Sequence, residues 1–462
     1  MTRLHDLGAL ELGAAFRRGE LGPVEVLEAL LDHIARWEPH LHALYAFDPD
    51  GARAQAEAAQ QRWRRGAPLS PLDGVPVTIK ENIATRGVPV PLGTAATELV
   101  PAAADAPPAA RLREAGAVIL AKTTMPDYGM LSSGLSSFHP LTRNPWNLAL
   151  NPGGSSAGAA AAAAAGYAPL HVGTDIGGSV RLPATWNGIF TLKPSLGRVP
   201  VDPPYFGRVV GPMTRTVADS ALLMAELSKP DWRDHMSLPA TTIDWSAGPL
   251  DPKGLEIGLH LDAGSGLPVD AEVRAAIEAA AKLFADAGAV VGPVAPFLSP
   301  EMLHLQDLFW RVRSWVDFSG LSHARQASVL PFIADWCRGG ADISGATVIR
   351  AVNNYMAIRA AATRATHDFD YVLSPVSPVP TYRAEWETPT NDVERPLEHI
   401  SFTMPYNMSE QPAASINCGY TKEGKPIGVQ IAGRRFDDLG VLRIARWFET
   451  ARGAQRKWPE PA

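Results

Sequence analysis

The segment GTDIGGSVR, residues 173–181, places two glycines directly before Ser179 and sets that serine between Asp175 and Arg181. Glycine permits tight turns, and consecutive backbone N–H groups in such a turn can point at one negatively charged oxygen. A serine hydroxyl beside such a group is a candidate nucleophile for attack on a carbonyl carbon. The same three residues also suit an ordinary turn, so their surroundings must decide between the two interpretations.

A second Gly-Gly-Ser stands 24 residues upstream, in NPGGSSAGAAAAAAAG, residues 151–166. An alanine-rich helix is predicted to start from Ser155 or Ser156, and serine at a helix start is a common N-cap that alone explains its presence. Alternatively, the fold brings the two turns together, because an alanine helix is thin and allows close backbone approach.

Lys80 ends the apolar strand predicted in GVPVTIKEN, in a chain with 9 lysines and 33 arginines. Lysine, unlike arginine, can lose its proton when it is desolvated. An unperturbed lysine has a pKa of about 10.4 and costs roughly 4 kcal/mol to neutralise near pH 7.5. Burial can remove that cost, so a buried Lys80 can act as a base, whereas an exposed Lys80 reaches solvent and cannot.

Signatures of other catalytic chemistries are absent from the sequence. There is no G-x-S-x-G nucleophile elbow, since GGSSA at 153–157 misses it by its last residue, and no serine is followed three positions later by lysine. His171, the histidine nearest to Asp175, is interpreted as a core residue. There is no H-E-x-x-H and no lysine after GTDIGGS, so we expect neither a metal nor a cofactor, and serine with a lysine base remains.

Composition excludes several classes of partner. The net charge is −6 and no cluster of basic residues stands out, so direct nucleic-acid binding is not expected. Two cysteines, Cys337 and Cys418, indicate a reducing compartment. The start of the chain lacks the apolar run of a signal peptide, and the uncharged stretch 144–174 is interrupted by proline and asparagine, so we expect a cytoplasmic protein without a membrane span.

Short apolar runs that predict strands alternate with helical patterns. The runs are VPVTI, AVILA, APLHV, LEIGLHL, YVLS and IGVQIAG, and the helices are predicted at 23–37, 51–65, 108–115, 157–166, 216–228, 270–287, 345–366 and 438–452. This alternation predicts an α/β fold whose sheet is covered by helices on both faces. The stretches 229–253 and 376–398 are predicted to be surface loops.

The run NPGGSSAGAAAAAAAGYAPLHVGTDIGGSVRLPATWNGIFTLKPSLGRVP, residues 151–200, closely resembles the signature of the amidase signature hydrolases. Further blocks resemble the family in the same order, at residues 72–96, 121–130, 142–147 and 410–445. The resemblance covers most of the chain. It implies one amidase signature domain over 1–462 with a mixed sheet, comprising a helical N-terminal layer (1–66), a catalytic core (72–220) and a variable helical region (300–366).

The resemblance also implies a catalytic triad. It assigns Ser179 as nucleophile, Ser155 as a bridging serine after a cis peptide at Gly154, and Lys80 as base. Its oxyanion hole consists of the backbone N–H groups of Ile176, Gly177, Gly178 and Ser179. Asp175 and Arg181 resemble the charged residues that hold this loop in the family.

The sequence departs from the family pattern at residues that are expected to affect substrate specificity. Ala157 replaces the usual glycine, and Trp186 with Asn187 replaces a more common Phe-Cys type pair. Gly129, Met130 and Leu131 fill the segment that borders the acyl site in relatives, which predicts an apolar tunnel. Residues 300–340 carry the aromatic and apolar side chains of core helices, or of a substrate pocket, at Leu303, Phe309, Trp310, Trp315, Phe318, Phe332 and Trp336.

The expected activity is hydrolysis of small linear amides, extending to anilides, esters or carbamates with apolar groups, through an acyl-enzyme. Two alternatives stay open: the A subunit of glutamyl-tRNA amidotransferase, which works in a complex, and a non-catalytic protein that keeps the fold. Homodimers are common in the family, but nothing in the sequence decides the oligomeric state.

Overall fold

The computed structural model describes residues 3–461. Eleven strands in this range form one sheet: β1 Leu44–Tyr45, β2 Pro76–Lys80, β3 Val118–Thr123, β4 Leu170–Asp175, β5 Phe190–Lys193, β6 Val209–Thr214, β7 Glu256–Leu259, β8 Val290–Pro293, β9 Tyr371–Pro375, β10 Ala413–Tyr420 and β11 Pro426–Gly433. Their order is β1-β3-β2-β4-β6-β5-β10-β11-β9-β7-β8. The sheet is mixed, because β2 runs parallel to β3 and β4, whereas β4, β6, β5, β10, β11 and β9 pair antiparallel in turn.

Helices flank this sheet, and the protein is a single α/β domain, as the sequence predicts. The α-helices are α1 Ala9–Arg18, α2 Pro23–Leu41, α3 Pro49–Arg64, α4 Pro107–Glu114, α5 Ala157–Ala165, α6 Arg181–Asn187, α7 Val217–Leu227, α8 Ala271–Asp286, α9 Pro300–Ser319, α10 His323–Gln326, α11 Pro331–Arg338, α12 Gly345–Thr366, α13 Met404–Met408 and α14 Asp438–Ala451. Short 3-10 helices lie at Leu4–Asp6, Asp127–Gly129 and Glu398–Ile400.

The alanine-rich helix α5 lies in the interior of the molecule. Every residue of α5 is buried, and the helix packs on β2, β3, β4 and β6. A methyl group on Gly158 would overlap the carbonyl oxygen of Ala43, so the helix backbone itself contacts the neighbouring chain. Small side chains therefore let α5 lie close against the sheet, and its first turn holds Ser155 and Ser156 at the sheet's edge.

The two largest apolar clusters divide the interior. The larger of them covers the sheet and packs α1, α2, α4, α7, α8 and α14 against it. The second cluster joins α9, α11 and α12 to residues of the catalytic segments, including Leu131, Leu182 and Trp186. The helices of residues 300–366 therefore pack directly on the segments expected to carry the chemistry.

All six predicted strands and all eight predicted helices are present, with ends that shift by at most four residues. The N-terminal layer over 1–66 is built from α1, α2 and α3, as predicted, and it also contains β1, which pairs with Lys122 and Thr123 of β3. Two residues are too short to show a strand's periodicity. No helix or strand occupies 229–253, as predicted. The prediction that 376–398 is a surface loop was wrong, because Val376, Tyr382, Ala384 and Leu397 are buried.

Candidate active site

Three segments that are distant in sequence meet at one edge of the sheet. Strands β2 and β4 are parallel neighbours, with Ile79 opposite Val172, so Lys80 and Asp175 end their strands at the same edge. Parallel strands present their carboxyl ends together, where sites commonly form. Because α5 packs on both strands, Ser155 and Ser156 at its start reach this edge too.

Lys80 is completely buried and contacts two hydroxyl groups. Its Nζ donates hydrogen bonds to Ser155 Oγ at 2.8 Å and to Ser156 Oγ at 3.0 Å. Ser156 Oγ in turn donates to the carbonyl oxygen of Thr174, at 3.2 Å, which ties the start of α5 to β4. The peptide bond between Gly154 and Ser155 is cis, which confirms the geometry implied by the resemblance.

The protonation state of Lys80 is set by its surroundings. Burial lowers its pKa to about 7, and the positive charge of Arg208 also lowers it, whereas Asp175 and Glu81 act in the opposite direction. The charged and neutral forms are therefore both accessible near neutral pH. A group with such a pKa can accept and return a proton during one catalytic cycle.

Ser179 lies on the wall of a cavity of about 460 Å³, its open mouth included. Its carbonyl oxygen accepts a hydrogen bond from Ser156 N at 3.1 Å, which joins the two Gly-Gly-Ser segments. Its Oγ has no hydrogen-bond partner in residues 3–461 and is not bonded to Ser155 Oγ. A proton relay between the two serines therefore requires their hydroxyl groups to move together, and catalytic hydrogen bonds often tighten only when substrate binds.

The backbone before Ser179 is held by side chains around it. Gly178 has φ +135°, and a methyl group there would lie 2.6 Å from Thr403 Oγ1, so the position requires glycine. The N–H of Gly178 donates to Asp175 Oδ1 at 2.8 Å, which differs from the predicted oxyanion role because this N–H already has an acceptor. Within the described range, no side chain or turn accepts a hydrogen bond from the N–H groups of Ile176, Gly177 or Ser179.

Asp175 and Arg181 form a fully buried ion pair. Arg181 donates to both carboxylate oxygens, at 3.0 and 3.1 Å. Its remaining N–H groups reach Thr403 O, Gln430 Oε1 and Asn407 Oδ1. Burial alone would raise the pKa of Asp175, but Arg181 and Asn407 hold it well below its ordinary value. The charged pair therefore connects the Ser179 loop to α13 and β11.

The cavity beside Ser179 combines apolar and polar walls. It is lined by Gly129, Met130, Leu131, Ser132, Ile176, Gly177, Ser179, Leu182, Trp310, Arg313, Pro396, Leu397, His399 and Ile400. The structure thus brings the predicted substrate segment 129–131 to the same cavity as Ser179. Of the two tryptophans of α9 singled out in the sequence, Trp310 lies on this wall and Trp315 does not.

Sequence reasoning missed several residues that hold the site. Ser156 is adjacent to the predicted Ser155, and Gln430 lies within the strand run IGVQIAG, so both had a sequence signal. Thr403 lies directly before α13 and Asn407 lies within it, and this five-residue helix has no recognisable sequence pattern. His171, by contrast, is completely buried and bonds Thr78 and Ala168, which confirms its assignment to the core.

One group of possible metal ligands occurs among residues 3–461, formed by His5, His33 and Glu460. His33 Nε2 donates to the carbonyl oxygen of Ala165 at 2.7 Å, and its Nδ1 faces Arg36 Nη2 at 3.0 Å. Both ring nitrogens of His33 are therefore engaged. None of the three residues lines the Ser179 cavity.

The sequence is similar to those of known proteins over nearly its whole length. The family model described as Amidase matches residues 25–442. The A subunit of the glutamyl-tRNA(Gln) amidotransferase of Myxococcus xanthus is 34% identical and is matched over 97% of each chain. An acylamidase of Rhodococcus erythropolis is 32% identical over 99% of this chain and 98% of its own.

A solved structure has the same fold. The crystal structure of a bacterial aryl acylamidase of the amidase signature enzymes superposes with a TM-score of 0.89, at 30% sequence identity, over 97% of both chains. The fold, the arrangement of the site and the similarity to these proteins define an enzyme that acts on carbon–nitrogen bonds. The chain belongs to the amidase family, the amidase signature enzymes.

None of the helices in residues 3–461 is both long enough and apolar enough to cross a lipid bilayer.

Proposed function

We propose that the protein hydrolyses small linear amides, with Ser179 as nucleophile, Ser155 as proton bridge and Lys80 as base. The observation that carries this proposal is the hydrogen bond from the buried Lys80 ammonium to Ser155 Oγ, beside the cavity that Ser179 lines. A lysine buried in this way has its pKa near neutrality, which suits it to proton transfer at physiological pH.

In the first half-reaction, neutral Lys80 accepts the Ser155 proton while Ser155 Oγ accepts the proton of Ser179. Ser179 Oγ forms a bond to the carbonyl carbon, and the carbonyl oxygen becomes negatively charged. The N–H groups of Ile176, Gly177 and Ser179, which have no acceptor in the described residues, stabilise this oxyanion. The relay then returns a proton from Lys80 to the leaving nitrogen, and the carbon–nitrogen bond breaks to give an acyl-enzyme.

In the second half-reaction, water attacks the acyl carbon and gives its proton to the same relay. The bond to Ser179 Oγ breaks, the serine regains its proton, and the carboxylic acid leaves. Asp175 and Arg181 take no part in proton transfer in this mechanism. They position the Ser179 loop through the contacts described above.

The substrate class follows from the cavity and from the relatives. The cavity is a narrow space at Ser179, which suits a small molecule rather than a folded protein. The names acylamidase and aryl acylamidase of two similar proteins support acyl amides and anilides as substrates here. Esters and carbamates share the carbonyl chemistry and belong in the same test.

The test is a panel of amides, anilides, esters and carbamates assayed with wild type and with Lys80→Ala, Ser155→Ala and Ser179→Ala. Hydrolysis that falls by at least a thousandfold in Ser179→Ala supports the assignment, and residual activity within tenfold of wild type contradicts it. Ser328→Ala, an exposed serine outside the site, is the control and should retain full activity. Labelling of wild type but not Ser179→Ala by a sulfonyl fluoride identifies the nucleophile directly.

A second candidate is the A subunit of a glutamyl-tRNA amidotransferase, because the Myxococcus xanthus protein matches this chain over nearly its full length. An amidotransferase delivers the nitrogen of an amide to an acceptor instead of hydrolysing varied amides. Glutamine, a small primary amide, therefore belongs in the substrate panel. Hydrolysis of glutamine with no turnover of any other amide would favour this candidate, and turnover of simple amides and anilides by the isolated chain would favour the hydrolase.

A further inference from the structure

Arg313 places a positive charge on the wall of the cavity beside Ser179. It lies on α9 and lines the same cavity as Ser179. Its Nη2 lies 3.5 Å from Met130 Sδ, and its guanidinium carbon lies 5.0 Å above the ring of Tyr205. An aromatic face and a thioether sulfur hold the guanidinium in place, but neither neutralises its charge.

Arg313 forms no ion pair with any residue in the described part of the chain. Arg311, two residues earlier on the same helix, does form an ion pair, because Arg311 Nε lies 2.7 Å from Asp307 Oδ2. Asp317 stands one helical turn beyond Arg313 but is not paired with it. A half-buried guanidinium facing a substrate cavity without a carboxylate is the arrangement expected of a group that binds a ligand's negative charge.

A second cation, Arg208, acts electrostatically on Arg313 and Lys80 but does not line the cavity. Arg208 donates to the carbonyl oxygen of Pro203 at 3.3 Å and has no ion pair within residues 3–461. Burial lowers the pKa of Arg208 and the charge of Arg313 lowers it further, whereas Asp202 acts in the opposite direction. The two guanidinium groups therefore repel each other, and an anion bound at Arg313 relieves that repulsion.

The contact with Met130 indicates which part of the substrate carries the anion. The segment Gly129 to Leu131 is the one expected to border the acyl group, and Arg313 reaches it directly. We propose that Arg313 binds a carboxylate on the acyl group, so that the preferred substrates are half-amides of short dicarboxylic acids. This inference rests on the proposed amide hydrolysis and corrects the expectation of a purely apolar tunnel.

The test compares two p-nitroanilides of equal chain length, those of pentanoic and glutaric acid, which differ by a terminal carboxylate. Wild type should hydrolyse the glutaryl compound with a kcat/KM at least tenfold higher. Arg313→Met should lose this preference, so that its kcat/KM values for the two compounds differ by less than threefold. Arg313→Lys should retain part of the preference, and Arg350→Met, an exposed arginine on α12, should retain all of it.

Three outcomes overturn the inference. Wild type that prefers the pentanoyl compound contradicts it, as does an Arg313→Met variant that slows both substrates equally. A carboxylate preference that appears only on the amine side, in pentanoyl 4-aminobenzoate against pentanoyl anilide, contradicts the acyl-side assignment. Hydrolysis of neutral anilides in any of these cases leaves the proposed function standing.

A binding measurement separates the two proposals if no anilide is hydrolysed. Glutarate should raise the melting temperature of wild type by several degrees, pentanoate should not, and Arg313→Met should abolish the effect. A glutarate shift without turnover supports the carboxylate site and contradicts the anilide hydrolase. The absence of a shift in wild type contradicts the carboxylate site.

Discussion

Lys80 Nζ lies 2.8 Å from Ser155 Oγ, although the two residues are 75 positions apart in the chain. The contact exists because β2 and β4 are parallel neighbours and because the alanine helix α5 lies close enough to the sheet to present its first residues there. A larger side chain on the inner face of α5 would push Ser155 away from the ammonium. The catalytic contact therefore depends on small residues well outside it.

The first prediction concerns pH. In the proposed mechanism neutral Lys80 is the active form, and its pKa is about 7, so kcat/KM should rise with pH between about 6 and 8 and then level off. Below the pKa the ammonium cannot accept a proton, which fixes the sign of the change. Lys80→Arg should be inactive at every pH, because guanidinium does not lose its proton.

The pH profile should be recorded with a neutral amide, so that ionisation of the substrate does not contribute. A flat profile from about pH 5.5 to about 8.5, or activity that falls as the pH rises through the Lys80 pKa, is inconsistent with Lys80 as base.

The second prediction concerns the buried pair of Asp175 and Arg181. Arg181→Met leaves the Asp175 carboxylate buried and without its charged partner, and such a change costs about 3–5 kcal/mol. Urea unfolding at neutral pH should show this loss. Lys282→Met, which removes the exposed ion pair with Asp286, should cost less than about 1 kcal/mol.

If Arg181→Met does not fold, Asn407→Ala provides a milder form of the same test. It removes one hydrogen bond to Asp175 Oδ1 and one from Arg181, and it should cost about 1–3 kcal/mol. Equal stability of Asn407→Ala and wild type would mean that this network does not hold the loop.

The strands of the sheet that are short apolar runs could be predicted from the sequence. Strands that lack this pattern could not. Strand β6 reads VVGPMT, and a proline normally argues against a central strand. Yet β6 lies between β4 and β5, with Pro212 opposite Val172, and Gly211 is required because a methyl group there would overlap the carbonyl oxygen of Leu192. Such close backbone approaches are decided by tertiary packing, which the local pattern does not contain.

The residues of the candidate site could likewise be predicted only where the local sequence is distinctive. Lys80, Ser155 and Ser179 stood out because each has an unusual local setting: a lysine after an apolar strand, or a serine after two glycines. Thr403 and Asn407 are ordinary polar residues in an irregular segment, and only the folded chain brings them to Asp175 and Arg181. The hydrogen bond from the Gly178 N–H to Asp175 likewise has no signal in the sequence pattern.

The third prediction concerns the two tryptophans of α9. Trp310 is buried and lies against the loop before Ser179, since a methyl group on Gly177 would lie 3.0 Å from its ring. Trp315 packs on the same apolar cluster but does not line the cavity. Trp310→Phe should therefore change the relative kcat/KM values of long and short acyl chains by at least fivefold. Trp315→Phe should leave this ranking within twofold, and a larger effect from Trp315→Phe would contradict the placement.

The fourth prediction concerns Gly129, which has φ +69°. A methyl group there would lie 3.2 Å from Ser155 Oγ and 3.1 Å from Met125 Cε, so Gly129→Ala should displace the bridging hydroxyl from Lys80. Gly453 is a matched control, because its φ is +77° and a methyl group there would meet nothing within 4 Å. Both substitutions place a side chain in the left-handed region, at a cost of roughly 1–2 kcal/mol in stability.

Only Gly129→Ala should lower kcat, and a tenfold loss corresponds to about 1.4 kcal/mol of transition-state stabilisation. The comparison separates backbone strain, which the two variants share, from the contact with Ser155, which only one of them has. Equal kcat values for wild type, Gly129→Ala and Gly453→Ala would show that Ser155 tolerates displacement. A bridging hydroxyl cannot tolerate it, because proton transfer to Lys80 requires hydrogen-bond distance.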